Sequence, residues 1–331
     1  MADIAITTEL QEIQNNLWGT NVRENIALAL EKLQNLPEEP NTIQGSLKNS
    51  KLSLLKVSIQ NMENTLQSRK DQLDRIKARL EQASGRTILQ YGKCGNDVYY
   101  TICDDGEAAL YGTGATYDYT SHDSVFYQND QIKEIVLSNG ITGLGDRLFY
   151  HCANAETVSL PATLTSIGDS AFAQEDAAIG YTAGLTSVTI PQAVTAIQSY
   201  AFYHTAIAEV TVPASVKTWG KYAFSGCAKL KTARVACDFI GAFAFTRCTA
   251  LSSLTISANC TKIGTCMLTY CSSLTEITYE GTKAQWDAIE KGTNWDSRHG
   301  ADHEDVLSKI ICSDGNWIFN EETKTWEEET A

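Results

Sequence analysis

Two histidines near the C-terminus have a spacing that could hold a metal ion. His299 and His303 are four residues apart, so a helix would place them on one face, with Asp302 and Glu304 beside them. Gly300 disfavours that helix, and no third ligand follows at a fixed spacing. The pattern therefore favours a solvated acidic loop, and we expect neither a metal site nor a cofactor.

Paired carboxylates are the other arrangement that could do chemistry, because two acids can hydrolyse a glycosidic bond. Asp104–Asp105 and Glu175–Asp176 are such pairs, but their surroundings predict turns or loops. None of the five histidines of the sequence has a recognisable nucleophile to activate. We therefore expect a protein that is not an enzyme.

The charge balance limits the partners. The 331-residue chain has 40 acidic and 26 basic side chains, and its net charge of −14 repels nucleic-acid phosphates. No run of about 18 apolar residues is present, so we expect no membrane insertion. The N-terminus lacks a basic segment before an apolar stretch, which argues against a secretory signal.

The first 90 residues differ in composition from the rest. They contain three of the 22 glycines and none of the ten cysteines, which predicts helices first and β-rich structure afterwards. Residues 1–40 are predicted as a helical hairpin that begins at caps Thr8 and Asn21 and ends at Pro37. Because this hairpin is too small to be stable alone, we expect it to dock on another protein.

Residues 41–84 contain an apolar seam whose spacing alternates between three and four for four heptads, as in a coiled coil. The apolar seam residues are Leu52, Leu55, Ile59, Met62, Leu66, Leu73, Ile76 and Leu80. Arg69 interrupts the seam at a cost in stability and could fix its register. We expect a parallel homo-oligomeric stalk, in which the mixed core leaves dimer and trimer open and a trimer is favoured. A single amphipathic helix packed on a domain is the alternative.

Residues 131–300 repeat with a period near 22, which is typical of a leucine-rich-repeat solenoid. Counted from the first strand residue as position zero, five units agree at positions 0, 2, 6, 9 and 14. The position-zero residues are Ile135, Val158, Val188, Val210 and Leu254. The position-14 residues are Phe149, Phe172, Phe202, Phe224 and Leu268. Positions 0 and 2 predict a strand with one face inward, and each coil buries that face by stacking.

Several cysteines share one phase of the repeat. Those that follow the position-14 residue of their unit by three are Cys152, Cys227, Cys248 and Cys271. Stacked coils would align them as an internal ladder. Buried free thiols are favoured over disulfides between rungs, which would strain a parallel stack.

Two sets of side chains are candidates for ligand binding. Outward-facing residues at position one form a column of Val136, Ser159, Thr189, Thr211, Arg234, Thr255 and Thr278. Tyrosines beside the phenylalanine column, or in an insertion at residues 174–184, are Tyr150, Tyr181, Tyr203 and Tyr270. Aromatic faces near hydroxyls suit a glycan, whereas scattered tyrosines and solvent-exposed threonines are also ordinary surface features.

The repeat resembles the bacterial BspA-type leucine-rich-repeat family. The segments that carry the resemblance are LTSVTIPQAVTAIQSYAFYHT and IAEVTVPASVKTWGKYAFSGC. YGKCGNDVYYTICDDGEAALYGTGATYDY is similar to the β-hairpin that precedes such arrays, and ITYEGTKAQWDAIEKGTNWD to their closing unit. The resemblance covers about residues 92–300 and implies a β-hairpin cap at 85–130 and a solenoid at 131–300. The glutamates near the C-terminus indicate that residues 301–331 form an acidic cap or a solubilising tail.

The opening segment ITTELQEIQNNLWGTNVRENIALALEKLQ resembles the N-terminal helices of tail-fibre and baseplate proteins of phages of Gram-positive hosts. The expected fold class is therefore α+β and multi-domain, with a helical hairpin and a parallel coiled coil followed by a leucine-rich-repeat solenoid. This resemblance implies a receptor-binding protein of the virion tail, which is made in the host cytoplasm, leaves at lysis and recognises a bacterial surface glycan or protein. A bacterial surface adhesin and a structural baseplate accessory protein are the alternatives.

Overall fold

The structure, a computed structural model, describes part of the N-terminal region and most of the remainder. The described residues are 53, 56, 57, 60, 61, 63–65, 67, 68, 70, 71, 74, 75, 77, 78, 81, 82, 85–120, 122–174, 183–296 and 307–329. The helical hairpin predicted for residues 1–40 and every seam residue from Leu52 to Leu80 lie outside them.

The chain divides into two units, Met1–Ile88 and Leu89–Ala331. The described residues from 53 to 82 are helical, and their side chains are exposed or half-buried. Hydrogen bonds and ion pairs join residues four apart, as from Gln60 to Asn64 (3.3 Å) and from Lys77 to Glu81 (3.7 Å). Within the described residues no helix is both long enough and apolar enough to cross a membrane.

Three strands precede the solenoid: β1 (Ile88–Lys93), β2 (Gly95–Cys103) and β3 (Glu107–Thr116). β2 and β3 form an antiparallel hairpin, and Asp104 and Asp105 lie in its turn, as the sequence predicted. Asp105 accepts a hydrogen bond from the Glu107 amide at 3.1 Å, so this carboxylate stabilises the turn. β3 then pairs in parallel with the first two strands of the solenoid.

The described coils contribute strands to two parallel stacks. In chain order these strands are β4 (Glu134–Leu137), β5 (Ile141–Leu144), β6 (Thr157–Ser159), β7 (Ser166–Ile167), β8 (Ala196–Ile197), β9 (Glu209–Val212), β10 (Thr218–Trp219), β11 (Thr232–Val235), β12 (Phe239–Ile240), β13 (Ser253–Ile256), β14 (Lys262–Ile263), β15 (Glu276–Tyr279), β16 (Glu290–Lys291) and β17 (Lys309–Cys312).

The first stack contains the predicted strands at positions 0 to 2. It consists of the parallel pair β4–β6 and the parallel series β9–β11–β13–β15–β17. The coil between these groups has no strand at residues 185–190, and Val158, Leu160 and Val188 around it are only half-buried. The other apolar residues at positions 0, 2, 6, 9 and 14 are buried, which confirms the predicted repeat phase.

A second stack was not predicted from the sequence. It consists of the series β5–β7–β8–β10 and β12–β14–β16. Most of these strands have two residues and include position 9, for example Ile167 and Ile197. Such short strands leave no alternating pattern in the sequence, so their position-9 residues were recognisable only as buried apolar side chains.

Stacked phenylalanines fill the return side of the coils. Rings from Phe149 to Phe245 lie 5.1–5.9 Å apart at interplanar angles of 5–18°. Left-handed residues bracket this column, as Tyr200 and His204 (both φ 57°) do around Phe202. A left-handed non-glycine residue costs about 1–2 kcal/mol, and burial of the aromatic ring offsets that cost.

Glycines set the spacing between coils at one further position. They are Gly145, Gly168, Gly220, Gly241, Gly264 and Gly292. A Cβ atom on any of them would lie 1.9–2.7 Å from backbone atoms of the preceding coil. A side chain on any of these six residues would force neighbouring coils apart, whereas the coil between Gly168 and Gly220 has Gln198 at this position.

The C-terminal glutamates belong to a hairpin, so of the two forms expected for this segment the described residues fit the cap. After α1 (Lys283–Asp287), strands β18 (Gly315–Asn320) and β19 (Thr325–Glu328) continue antiparallel from β17. Glu328 pairs with Lys283 at 2.8 Å, and Glu329 pairs with Lys309 at 3.0 Å. Trp317 and Trp326 pack against the core, so apolar burial holds this acidic segment in place.

Candidate binding surface

Four neighbouring strands, β9, β11, β13 and β15, present one continuous outward face. We call it the hydroxyl face, and its outward residues are Glu209, Thr211, Thr232, Arg234, Ser253, Thr255, Glu276 and Thr278. Each is exposed or half-buried, whereas the residues that alternate with them, such as Val210 and Leu254, are buried. The period of two therefore determines which side chains can meet a ligand.

The structure brings together four of the seven predicted residues of the position-one column. Thr211, Arg234 and Thr255 are direct partners in successive strands, and Thr278 continues the row. Ser159 instead pairs with Val136 in β4–β6, and Thr189 lies outside any strand. The predicted column is therefore interrupted at the coil that lacks a first-stack strand.

Some threonine hydroxyls elsewhere in the solenoid donate to backbone carbonyls. The Thr165 hydroxyl donates to the carbonyl of Thr142 at 2.7 Å, and that of Thr195 donates to the carbonyl of Thr165 at 3.2 Å. On the hydroxyl face, by contrast, the Thr211, Thr255 and Thr278 hydroxyls have no hydrogen-bond partner among the described residues. These groups are available to a ligand or to water.

Arg234 is the one predicted residue of the hydroxyl face that is already engaged. Its guanidinium donates two hydrogen bonds to Glu280, one of them 3.0 Å long, across the intervening strand β13. This pairing raises the pKa of Arg234 and lowers that of Glu280. The arginine is therefore bound within the protein instead of being presented to an anionic ligand.

The predicted tyrosines lie in separate clusters. Tyr150 stacks on Tyr127 at 5.9 Å, Tyr203 meets Tyr200 edge to face at 5.4 Å, and the Arg247 guanidinium lies 5.6 Å from the Tyr270 ring. Tyr181 lies outside the described residues. The structure therefore does not show these tyrosines as one sugar-binding platform.

Sequence reasoning missed a surface ladder of aromatic rings. Tyr200, Tyr222 and Phe243 stack with ring centroids 5.0 and 4.4 Å apart and nearly parallel planes. Each lies two residues before the core phenylalanine of its coil, so their steps of 22 and 21 residues could have revealed them. Because the rings cover one another's faces, the ladder offers mainly ring edges to a ligand.

The predicted cysteine ladder is confirmed as a buried column of free thiols. Each thiol donates to the carbonyl of a phenylalanine in the preceding coil, as from Cys227 to Phe202 at 3.2 Å. Burial raises the pKa of Cys152 and Cys227 to about 12, which keeps both thiols protonated at neutral pH. A protonated, enclosed thiol is a poor nucleophile, so the column is structural.

The described residues offer no group of three metal-ligating side chains. His299 and His303 lie outside them, as do Glu175 and Asp176.

Parallel coils, an inward phenylalanine column and a cysteine ladder together define a leucine-rich-repeat solenoid. The sequence profile described as BspA type leucine rich repeat region matches residues 120–179 and 175–288 in six copies. These ranges span 169 of the 331 residues, and the chain belongs to the BspA-type leucine-rich-repeat family. No curated protein matches the chain.

Several solved bacterial structures are similar to this chain. A leucine-rich repeat protein from Eubacterium ventriosum is 18% identical, with 67% of this chain and 93% of that chain covered and a TM-score of 0.34. The T. pallidum leucine rich repeat protein is 19% identical, with 56% and 87% covered and a TM-score of 0.37. A leucine rich cell surface protein from Faecalibacterium prausnitzii is 15% identical, with 59% and 96% covered and a TM-score of 0.22. Likenesses at this level carry no inference about function.

Proposed function

We propose that this chain is an adhesin-like binding protein that attaches to a bacterial surface through its solenoid. The observation that carries the proposal is the row of Thr211, Arg234, Thr255 and Thr278 on one parallel sheet. Stacked coils hold such a row rigidly, so little ordering is needed when a ligand binds.

Cell binding by the full chain tests this function. We expect labelled protein to bind saturably to cells of some members of a panel of Gram-positive bacteria, and unlabelled protein to compete. Binding that never saturates, or that is equal on every strain and on plain glass, would contradict a specific adhesive role.

In its finer form, the proposal is that the chain is a phage tail fibre or receptor-binding protein. Residues 1–40 would dock on tail or baseplate proteins, and the solenoid would contact the host. The N-terminal resemblance to tail-fibre and baseplate proteins supports this form. The protein would then be made in the host cytoplasm and carried on the virion tail after lysis.

A bacterial surface adhesin and a structural baseplate subunit are the competing forms, and family membership suits the adhesin equally well. Antibodies against the chain can separate the three. A tail fibre predicts labelled tails on released phage particles and blocked adsorption. Label on the bacterial envelope alone indicates the adhesin, and labelled tails with normal adsorption indicate the structural subunit.

We further propose that the seam in residues 41–84 joins copies of the chain, with a trimer favoured. Sedimentation of the full chain should give the mass of an oligomer, and Ile59→Glu with Leu66→Glu should convert it to a monomer because charges at a seam prevent helix pairing. Val57→Glu is the matched control, since Val57 is 58% exposed. A wild-type monomer at high concentration would refute the stalk.

A further inference from the structure

The hydroxyl face carries hydrogen-bonding groups that the protein leaves unused. Thr255 and Thr278 are direct partners in β13 and β15, and adjacent strands place such side chains about 4.7–4.9 Å apart. Neither hydroxyl has a partner among the described residues. A hydroxyl both donates and accepts, which is also what each hydroxyl of a sugar requires.

The charges on this face oppose one broad class of surface polymer. Of its eight outward positions, two carry the exposed carboxylates Glu209 and Glu276, and one carries the single cation, Arg234. Glu280 neutralises that cation through its paired hydrogen bonds. In β17, Lys309 is the direct partner of Glu276, but it is already paired with Glu329 at 3.0 Å. Both cations thus have carboxylate partners, and the net negative charge that remains repels phosphate-bearing polymers.

We propose that the hydroxyl face binds an uncharged polysaccharide of the bacterial surface. This inference rests on the proposed adhesive function and names the class of its ligand. A linear polysaccharide repeats its hydroxyls along its length, as the strands repeat theirs across the sheet. Glu209 and Glu276, at the two outer strands of the face, can accept hydrogen bonds from sugar hydroxyls while disfavouring anionic chains.

Paired valine substitutions test the role of the hydroxyls. Thr255→Val with Thr278→Val removes two of them but retains the branched side chains that suit a strand. The matched control is Thr142→Val with Thr218→Val, because these exposed threonines lie in β5 and β10 of the second stack and also have no hydrogen-bond partner among the described residues. Thermal unfolding of all three proteins checks that each variant is folded.

The probe is cell-wall polysaccharide from a strain that the full chain binds, after acid removal of phosphate-bearing polymers. We expect the Thr255/Thr278 variant to bind this material about tenfold more weakly or worse, and the control to stay within about twofold of wild type. Raising the salt concentration should leave wild-type binding unchanged, because an uncharged ligand releases no counterions.

Each contrary result separates the two proposals. If the full chain binds cells but the Thr255/Thr278 variant binds as well as wild type, the hydroxyl-face proposal fails and the adhesive function stands. The hydroxyl-face proposal also fails if binding disappears when phosphate-bearing polymers are removed. It fails as well if the Thr142/Thr218 control loses as much affinity as the Thr255/Thr278 variant. If the full chain binds no cells, the adhesive function itself fails.

Discussion

The Cys248 thiol donates a hydrogen bond to the backbone carbonyl of Phe224 in the preceding coil, across 3.2 Å. Cys271 makes the same bond to Phe245 at 3.1 Å, so the contact recurs from coil to coil. At the equivalent point of its own coil, Thr205 donates to the carbonyl of Phe202 at 2.9 Å. The cysteines thus donate to the preceding coil and Thr205 to its own, so the position accommodates a small donor that bonds a buried carbonyl.

Replacement of Cys248 should distinguish loss of the donor from loss of volume. Cys248→Ala removes both, and we expect its free energy of unfolding to fall by about 2 kcal/mol. Cys248→Ser retains a donor and should lose less. Urea denaturation measures both values, with Cys266→Ala as a half-buried control that should change by less than about 0.5 kcal/mol. An equal loss for serine and alanine would show that the hydrogen bond is unimportant.

Stability should decline in alkaline solution because the buried thiols resist ionisation. The pKa of Cys94, Cys152 and Cys227 is raised by burial from 9.0 to about 12. Their contribution is thus fully present below about pH 9 and is lost as the pH rises towards 12, because only the unfolded state ionises freely. Urea denaturation at pH 8 and pH 10.5 should show this decline, and Cys227→Ser should reduce it. A free energy of unfolding that stays constant to pH 10.5 would contradict the buried ladder.

The glycines at this position should not tolerate substitution by a residue with a side chain. A Cβ at Gly220 would lie 2.1 Å from the Ser199 amide nitrogen, so Gly220→Ala must displace a neighbouring coil. We expect a loss of about 3 kcal/mol or more, measured as a shift in the urea midpoint. Gln198 occupies the equivalent position of the preceding coil, and Gln198→Ala should be nearly neutral. Similar effects of the two substitutions would refute the close approach.

The left-handed backbone at Tyr222 (φ 60°) predicts an inverted preference between glycine and alanine. Tyr222→Gly should be about 1 kcal/mol more stable than Tyr222→Ala, because alanine retains the strain of the left-handed conformation. Tyr203 is not left-handed, so there glycine should be the less stable replacement. Thermal unfolding of the four variants measures both differences, and the same order at both positions would contradict the assigned backbone.

The sequence predicted those features that recur in every coil. Phe149, Phe202 and Phe224 could be assigned to the core because they share a phase, and the structure confirms them as buried. Arg234 appeared available because its partner, Glu280, is 46 residues away and outside the repeat pattern. The sequence also did not reveal that the position-one column is interrupted at Thr189. The repeat spacing continues through this coil, although the coil forms no strand of the first stack. Periodicity thus identifies the faces of the coils, whereas pairing between distant side chains depends on the folded structure.

The most direct test of the adhesive function measures which part of the chain contacts the cell. Labelled full-length protein is titrated onto a strain that it binds, in the presence of antibody fragments raised against residues 131–300 or against residues 1–40. We predict that the fragments against residues 131–300 abolish saturable binding and that those against residues 1–40 leave it unchanged. Binding that is blocked only by the fragments against residues 1–40 would contradict recognition through the solenoid.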